Sequence, residues 1–292
     1  MSIERFDRNI RFFGREGQEK LRGAHVSVVG VGGTGTHVVQ QLAYLGVGKL
    51  SLIDDGHLKV TSRNRYIGSQ PGDIAKGPLK VAIAARLVEL AVDDVSVDEF
   101  PFSVISGPGF AAVLQSDYVF GCVDDDAIRL VLTQLCAAYR KPMFDVASDI
   151  EELEGKLRYG GRVCAAIDGD ACPLCLGQID MAEASLALAD VAAREQRKRM
   201  YGVGLDDLDR AGPSVVSLNG VVSSLAVTEF MLQVTGIRRA RRLLIYRGDL
   251  GKVLVSMDEP YADCFVCKGL WGSGTAAELE KKYLRKEDKG IA

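Results

Sequence analysis

The sequence predicts an α/β fold built on a doubly wound, mostly parallel sheet. Three observations carry that expectation. Short β-branched apolar runs recur through the first half, and most are followed by a stretch of helical period. A glycine-rich turn, Gly30-Val31-Gly32-Gly33-Thr34-Gly35, joins the first of these runs to the first of these helices. An acid, Asp54, closes the second run about 20 residues further on, so strand, GxGxxG turn, helix, strand and carboxylate together form a Rossmann-like βαβ unit.

Composition narrows the class. With 292 residues the chain can bury a proper core, as one large domain or two small ones. Its 47% apolar and 26% charged content is ordinary for a globular protein, and a net charge of −3 counts against non-specific nucleic-acid binding. The start, MSIERFDRNIRFFG, is too charged for a signal peptide. The longest apolar stretch, Val215 to Val234, is broken by Asn219, Thr228, Glu229 and Gln233, which predicts a buried helix and no membrane span. Seven cysteines without a secretory signal suit a reducing cytoplasm. The expected organisation is a helical arm over 1–24, a nucleotide-binding half over 25–150, a sheet extension with cysteine knuckles over 151–270, and a tail over 271–292.

The arm places Arg5, Arg8, Arg11 and Arg15 among Phe6, Phe12 and Phe13. At helical spacing this reads either as a solvated basic face or as an arginine offered to an anion in a neighbouring site. Val26–Val29 is the first strand. The helix from Thr34 turns Val38, Leu42 and Leu45 to one side, and Leu50–Ile53 is the second strand. The glycines permit a tight turn and close approach of an anion, which the helix amino terminus attracts. Asp54 sits where a carboxylate binds ribose hydroxyls. In the loop from Asp55 to Gly77 and just beyond it, Arg63, Arg65, Lys76 and Lys80 gather past the carboxyl end of the second strand, in the crevice where such sheets bind ligands; cations there suit a polyphosphate.

A helix over Pro78–Leu90, with Val81, Ala84, Ala85 and Val88 inward, leads to a third strand at Val95–Phe100. Tyr118–Cys122 is the fourth, and it runs into Val123-Asp124-Asp125-Asp126. Three acids there can hold Mg²⁺ with its waters or cap the helix predicted over Ala127–Tyr139, and one acid can do each. Pro142–Asp145 is the fifth strand.

The second half changes texture. Lys156–Ile167 adds further sheet, read as an antiparallel extension. Cys172-Pro-Leu-Cys175 and Cys264-Phe-Val-Cys267 are two CxxC pairs, which suit a tetrahedral Cys₄ zinc site because each knuckle presents two thiolates to one ion. Cys122, Cys136 and Cys164 lie in apolar contexts and read as inert buried thiols. Met181–Arg199 reads as a helix ending in the basic run Arg194 to Arg199, and Gly202–Gly212 as a glycine-bearing crossover loop.

Taken in order, several segments resemble the E1-like activating family, to which the ThiF, MoeB and HesA enzymes belong. They are Arg5-Phe6-Asp7-Arg8-Asn9-Ile10, Gly17-Gln18-Glu19-Lys20-Leu21, the GVGGTG turn, Gly46-Val47-Gly48 with Leu52-Ile53-Asp54, Asn64-Arg65, Cys122-Val123-Asp124, Arg129 and the two knuckles. The resemblance spans about Glu4 to Lys268. It implies an ATP-dependent adenylyltransferase in which a carboxylate attacks the α-phosphate of Mg·ATP and pyrophosphate leaves. In the family that carboxylate is usually the carboxyl-terminal glycine of a ubiquitin-like protein. By position, Gly30, Gly32, Gly33 and Gly35 would form the nucleotide loop with Asp54 on the ribose. Asn64, Arg65 and Lys80 would hold phosphates, and Asp124 the Mg²⁺. Arg8 would reach into a partner subunit's site, which implies a homodimer.

Three departures qualify the match. Ser62 stands where the family's loop has its first asparagine. The longer spacing to the lysine leaves Lys76 a rival of Lys80. The stretch from Leu176 to Asp263 contains no cysteine, so the chain resembles members that activate a carboxylate without carrying it as a thioester. Alternative readings are a dehydratase acting on a carboxylate of modified tRNA, which a pI of 5.8 counts against; a Rossmann dehydrogenase, which explains neither Arg8 nor the knuckles; and a non-catalytic scaffold, against which Arg8, Asp54, Arg65 and Asp124 stand together.

Overall fold

A computed structural model describes residues 3–153, 155–189 and 212–284. Helix α1 (Asp7–Gly23) comes first, interrupted at Gly14, whose φ of 79° is non-helical. The first βαβ unit follows as β1 (His25–Val29), α2 (Gly33–Leu45) and β2 (Lys49–Ile53). A single turn α3 (Asp73–Lys76) and helix α4 (Lys80–Ala91) lead to β3 (Ser96–Phe100). Then come α5 (Gly107–Gln115), β4 (Tyr118–Gly121), α6 (Asp126–Ala138) and β5 (Met143–Leu153). After β5 run β6 (Lys156–Ala166), α7 (Met181–Leu188), α8 (Val216–Thr235), β7 (Leu243–Arg247), β8 (Lys252–Val255) and a last turn α9 (Leu279–Tyr283).

The eight strands form one sheet in the order β3-β2-β1-β4-β5-β6-β7-β8. The first five positions pair in parallel and the remaining pairs are antiparallel. This is the doubly wound, mostly parallel sheet with an antiparallel extension that the sequence predicts. Because β1 continues on one side to β2 and β4 lies on its other side, the strand order reverses between β1 and β4. That reversal opens a crevice at their carboxyl ends.

Alternation along the strands sorts the core into two layers. Val26 and Val28 of β1 and Phe120 of β4 join a cluster with α2, α4 and α8, while Val29 and Val119 face α5 and α6. In the first layer Phe120, Phe144 and Phe230 pack with ring centroids 5.2 to 5.9 Å apart. Helix α8 is thus a core element, with Phe230 and Val222 fully buried. Among the described residues no helix is long and apolar enough to cross a membrane.

Two boundaries differ from the sequence expectation. Strand β5 continues well past Asp145 and pairs along its whole length with β6, from Met143↔Ala166 to Leu153↔Lys156. Its outer half, Asp149 to Leu153, carries acids and lies largely exposed, so it has no apolar alternation to betray it. The helix expected over Met181–Arg199 ends at Leu188, because Ala189 turns extended at φ −63° and ψ 149°. Its only fully buried residue is Ala184, packed with Leu130 and Ile179, so little burial holds a longer helix. The basic run Arg194 to Arg199, and all of the Gly202–Gly212 loop but its last residue, lie outside the described residues.

Candidate functional site

The glycine-rich turn lies at the carboxyl end of β1, beside the reversal point. Gly30 takes φ +84°, the left-handed region, and a Cβ there would lie 2.7 Å from the carbonyl oxygen of Cys122. At Gly35 a Cβ would stand 2.0 Å from the Gly30 carbonyl oxygen, so only glycine lets α2 begin against the turn. Gly32 caps α2 in an extended conformation and has open space where a Cβ would be. The first turn of α2 therefore presents its unpaired N–H groups to the crevice.

Asp54, just past the end of β2, ties the neighbouring parts together. Its Oδ2 accepts from the Val31 N–H at 3.0 Å and its Oδ1 from the Gly56 N–H at 2.8 Å. Lys80, first residue of α4, sets its Nζ 3.2 Å from Asp54 Oδ1 and 3.3 Å from Oδ2. Lys76 lies one turn earlier on α3 and is exposed. Of the two candidate lysines, Lys80 is the one brought to Asp54.

The 61–65 loop folds over the start of α2. Arg65 Nη1 donates to the Thr61 carbonyl at 2.7 Å and to Asn64 Oδ1 at 3.3 Å. The Arg65 stem lies so close that a Cβ at Gly33 would be 3.3 Å from its Cγ and Cδ. Asn64 and Arg63 are exposed beside it.

Beyond β4 the three acids divide their work. Asp125 caps α6, its Oδ1 accepting from the N–H groups of Ala127 at 2.7 Å and Ile128 at 3.0 Å. Asp126 pairs with Arg129 and accepts from the Asp180 N–H at 2.7 Å. Asp124 is exposed and, among the described residues, has no partner. It is the carboxylate left over for a cation, with hard oxygen ligands of the kind Mg²⁺ prefers.

A buried ion cluster backs this loop. Asp145, 0% exposed, accepts from Arg129 Nε at 2.9 Å and pairs with Arg162. Arg129 Nη2 also donates to the Val123 carbonyl at 2.6 Å, fixing the residue before Asp124, and Arg162 Nη2 donates to the Gln178 carbonyl at 2.8 Å. Sequence reading passed over Asp145 and Arg162, because a strand pattern does not reveal that two charges will meet inside it.

Helix α8 adds two more residues. Ser223 Oγ donates to the Thr34 carbonyl at 3.0 Å, and a Cβ at Gly33 would be 2.5 Å from Asn219 Nδ2. Asn219 and Ser223 are one helical turn apart, so the polar breaks in this apolar helix form one face against the start of α2. Their spacing was the available signal.

Arg8 lies elsewhere. It is exposed on α1, two residues past Phe6, whose ring packs against Gly46 at the carboxyl end of α2. Arg5 pairs with Asp94 and donates to the Ala43 carbonyl at 3.2 Å, and Gln18 Nε2 donates to Leu45 at 2.9 Å. The start of α1 is thus anchored at the far end of α2, a helix roughly 20 Å long, from the turn of the same chain.

The four knuckle cysteines converge, all buried, with their sulfurs within 4.8 Å of one another. Cys172 lies 3.7 Å from both Cys175 and Cys264, and Cys175 lies 3.8 Å from Cys267. Four thiolates at about 2.3 Å from zinc form a tetrahedron with edges of about 3.8 Å, so the donor set fits that ion. Of the other thiols Cys136 and Cys164 are buried and Cys122 is partly buried, and burial pushes the pKa of all three upward.

Comparison with known proteins agrees with this architecture. The family described as "ThiF family" matches residues 6–261. Protein HesA, vegetative, of Trichormus variabilis is 34% identical over 150 residues, covering 50% of this chain and 56% of that protein. Molybdopterin-synthase adenylyltransferase of Escherichia coli is 28% identical over 177 residues, covering 60% of this chain and 68% of that one. The matches to the HesA proteins span about half of those proteins' length. Among solved structures, E. coli MccB with MccA-N7isoASN superposes with a TM-score of 0.70 at 19% identity, over 90% of this chain and 74% of that one, a likeness of fold.

Proposed function

The chain belongs to the ThiF family, and from that premise we propose that it is an ATP-dependent adenylyltransferase activating a carboxylate as its acyl-adenylate. The observation that carries the reading is the meeting of five parts around one crevice. They are the free first turn of α2, Asp54, Lys80, Arg65 and the unpartnered Asp124. The adenylyltransferase named among the relatives supports it.

In this reading the ribose hydroxyls take Asp54, whose carboxylate already faces the glycine turn through Val31. Lys80 moves from Asp54 toward phosphate, and Arg65 and Asn64 swing from their local partners to the outer phosphates. The N–H groups of Gly32 to Gly35 meet the anion directly. Asp124 would hold Mg²⁺, which supplies charge neutralisation on the phosphates. The substrate carboxylate then attacks the α-phosphorus, the bond to the bridging oxygen breaks, and pyrophosphate carries away the negative charge. Such a reaction rests on positioning and on preorganised positive charge, which is what these residues offer.

The carboxylate is proposed to be the carboxyl terminus of a ubiquitin-like protein or a peptide. All three cysteines outside the knuckles have raised pKa values and are wholly or partly buried, so the adenylate passes to a separate acceptor and no thioester forms on those thiols. The Cys₄ cluster is assigned a structural zinc. The molecule is proposed to act as a homodimer in which Arg8 enters the partner's crevice.

ATP–pyrophosphate exchange tests the reading. With Mg²⁺, exchange is expected when one member of a panel of glycine-terminated small proteins and peptides is present. Exchange driven by bulk tRNA alone would favour the dehydratase reading, and its absence with every substrate would leave a scaffold.

A further inference from the structure

Asn219 is 1% exposed, on the second turn of α8, above the carboxyl end of the sheet. Its Oδ1 accepts from Ser148 Oγ at 2.7 Å and lies 3.4 Å from Ser214 Oγ. Nδ2 donates to Ser214 Oγ at 3.2 Å. An amide nitrogen has two protons, and among the described residues the second has no acceptor. That same Nδ2 occupies the volume over Gly33 where a side chain would otherwise begin. Gly33 is the first residue of α2, whose leading N–H groups are themselves unpaired.

A buried donor without an acceptor is costly to keep unless something arrives to accept from it. Here the unpaired N–H groups of the helix turn lie on one side, and the aliphatic stem of Arg65, which carries a guanidinium cation at its end, lies on the other. We propose that Asn219 is a further nucleotide-binding residue, donating its free Nδ2–H to a phosphate oxygen seated on the first turn of α2. The glycine at position 33 then has a reason, since any Cβ would displace this amide. Ser223, one turn along, holds the Thr34 carbonyl and keeps α8 in register with the turn. This inference rests on the adenylyltransferase reading and deepens it.

The test compares binding of adenosine and of Mg·ATP to the purified chain and to two variants, with folding checked by circular dichroism. Asn219→Ala removes the donor, and ATP should bind about tenfold more weakly, the scale of one lost charge-assisted hydrogen bond, while adenosine affinity holds. Asn219→Asp keeps the shape but sets a carboxylate against phosphate, and its loss for ATP should be larger still. If the buried carboxylate prevents folding, Asn219→Ala decides alone. Equal losses for adenosine and ATP, or no loss for either, would overturn the proposal. Failure of the unaltered chain to bind ATP would instead overturn the adenylyltransferase reading, and this inference with it.

Discussion

At the scale of single residues the acids after β4 show how one sequence motif serves several ends. Asp125 and Asp126 are spent on the helix cap and on Arg129, and Asp124 alone remains open. Asp124→Ala should therefore leave thermal stability nearly unchanged and lower Mg²⁺-dependent exchange by on the order of a hundredfold or more. A variant that retains most of its exchange with the normal Mg²⁺ dependence would remove Asp124 from the site. The motif was legible in the sequence, but its division was not, because capping depends on where the helix starts. Lys76 and Lys80 teach the same lesson: the start of α4 decides between them, and spacing alone does not.

At the scale of elements the Arg129–Asp145–Arg162 cluster joins α6, β5 and β6 inside the protein. Replacing Asp145 by Asn leaves the part-buried Arg162 without its counter-ion and the buried Arg129 with Asp126 alone. A loss of about 3–5 kcal/mol in urea-unfolding stability is expected, and an unchanged midpoint would show that the cluster is not a stabilising hub. Because Arg129 also holds the Val123 carbonyl, exchange should fall in whatever fraction remains folded. The parallel half was readable in the sequence, since each central strand is an apolar run closed by glycine or aspartate and each helix repeats its buried face. The outer half of the β5–β6 hairpin escaped that logic: its face is solvated, and pairing along the backbone holds it. Asn219 escaped for another reason. Its role exists only once α8 crosses the start of α2, a contact between residues nearly two hundred positions apart.

At the scale of the whole molecule two expectations concern joining. If Arg8 acts across a dimer, Arg8→Ala and Asp124→Ala chains should each be inactive alone and recover part of the exchange when mixed, because one of the two crevices is then complete. No recovery in mixed dimers of proven composition would confine Arg8 to its own chain. The Cys₄ cluster gives the second. Cys264→Ser should lose stoichiometric zinc and unfold at lower temperature, since a structural metal contributes directly to folding stability; full zinc retention in the purified variant would dispose of the assignment.

That cluster has a topological consequence. Cys175 and Cys264 bracket everything from Leu176 to Asp263, including α7, α8, β7 and β8, so a metal on the four thiols closes this stretch into a ring. A ring can be cut once without coming apart. A single protease nick anywhere within it should leave two pieces that travel together through gel filtration, held by the ion as well as by the sheet. Under denaturant strong enough to dissolve the sheet but not the thiolate cage, the ion alone would keep them joined. Adding a chelator would then release them, turning one metal-binding event into the difference between one molecule and two.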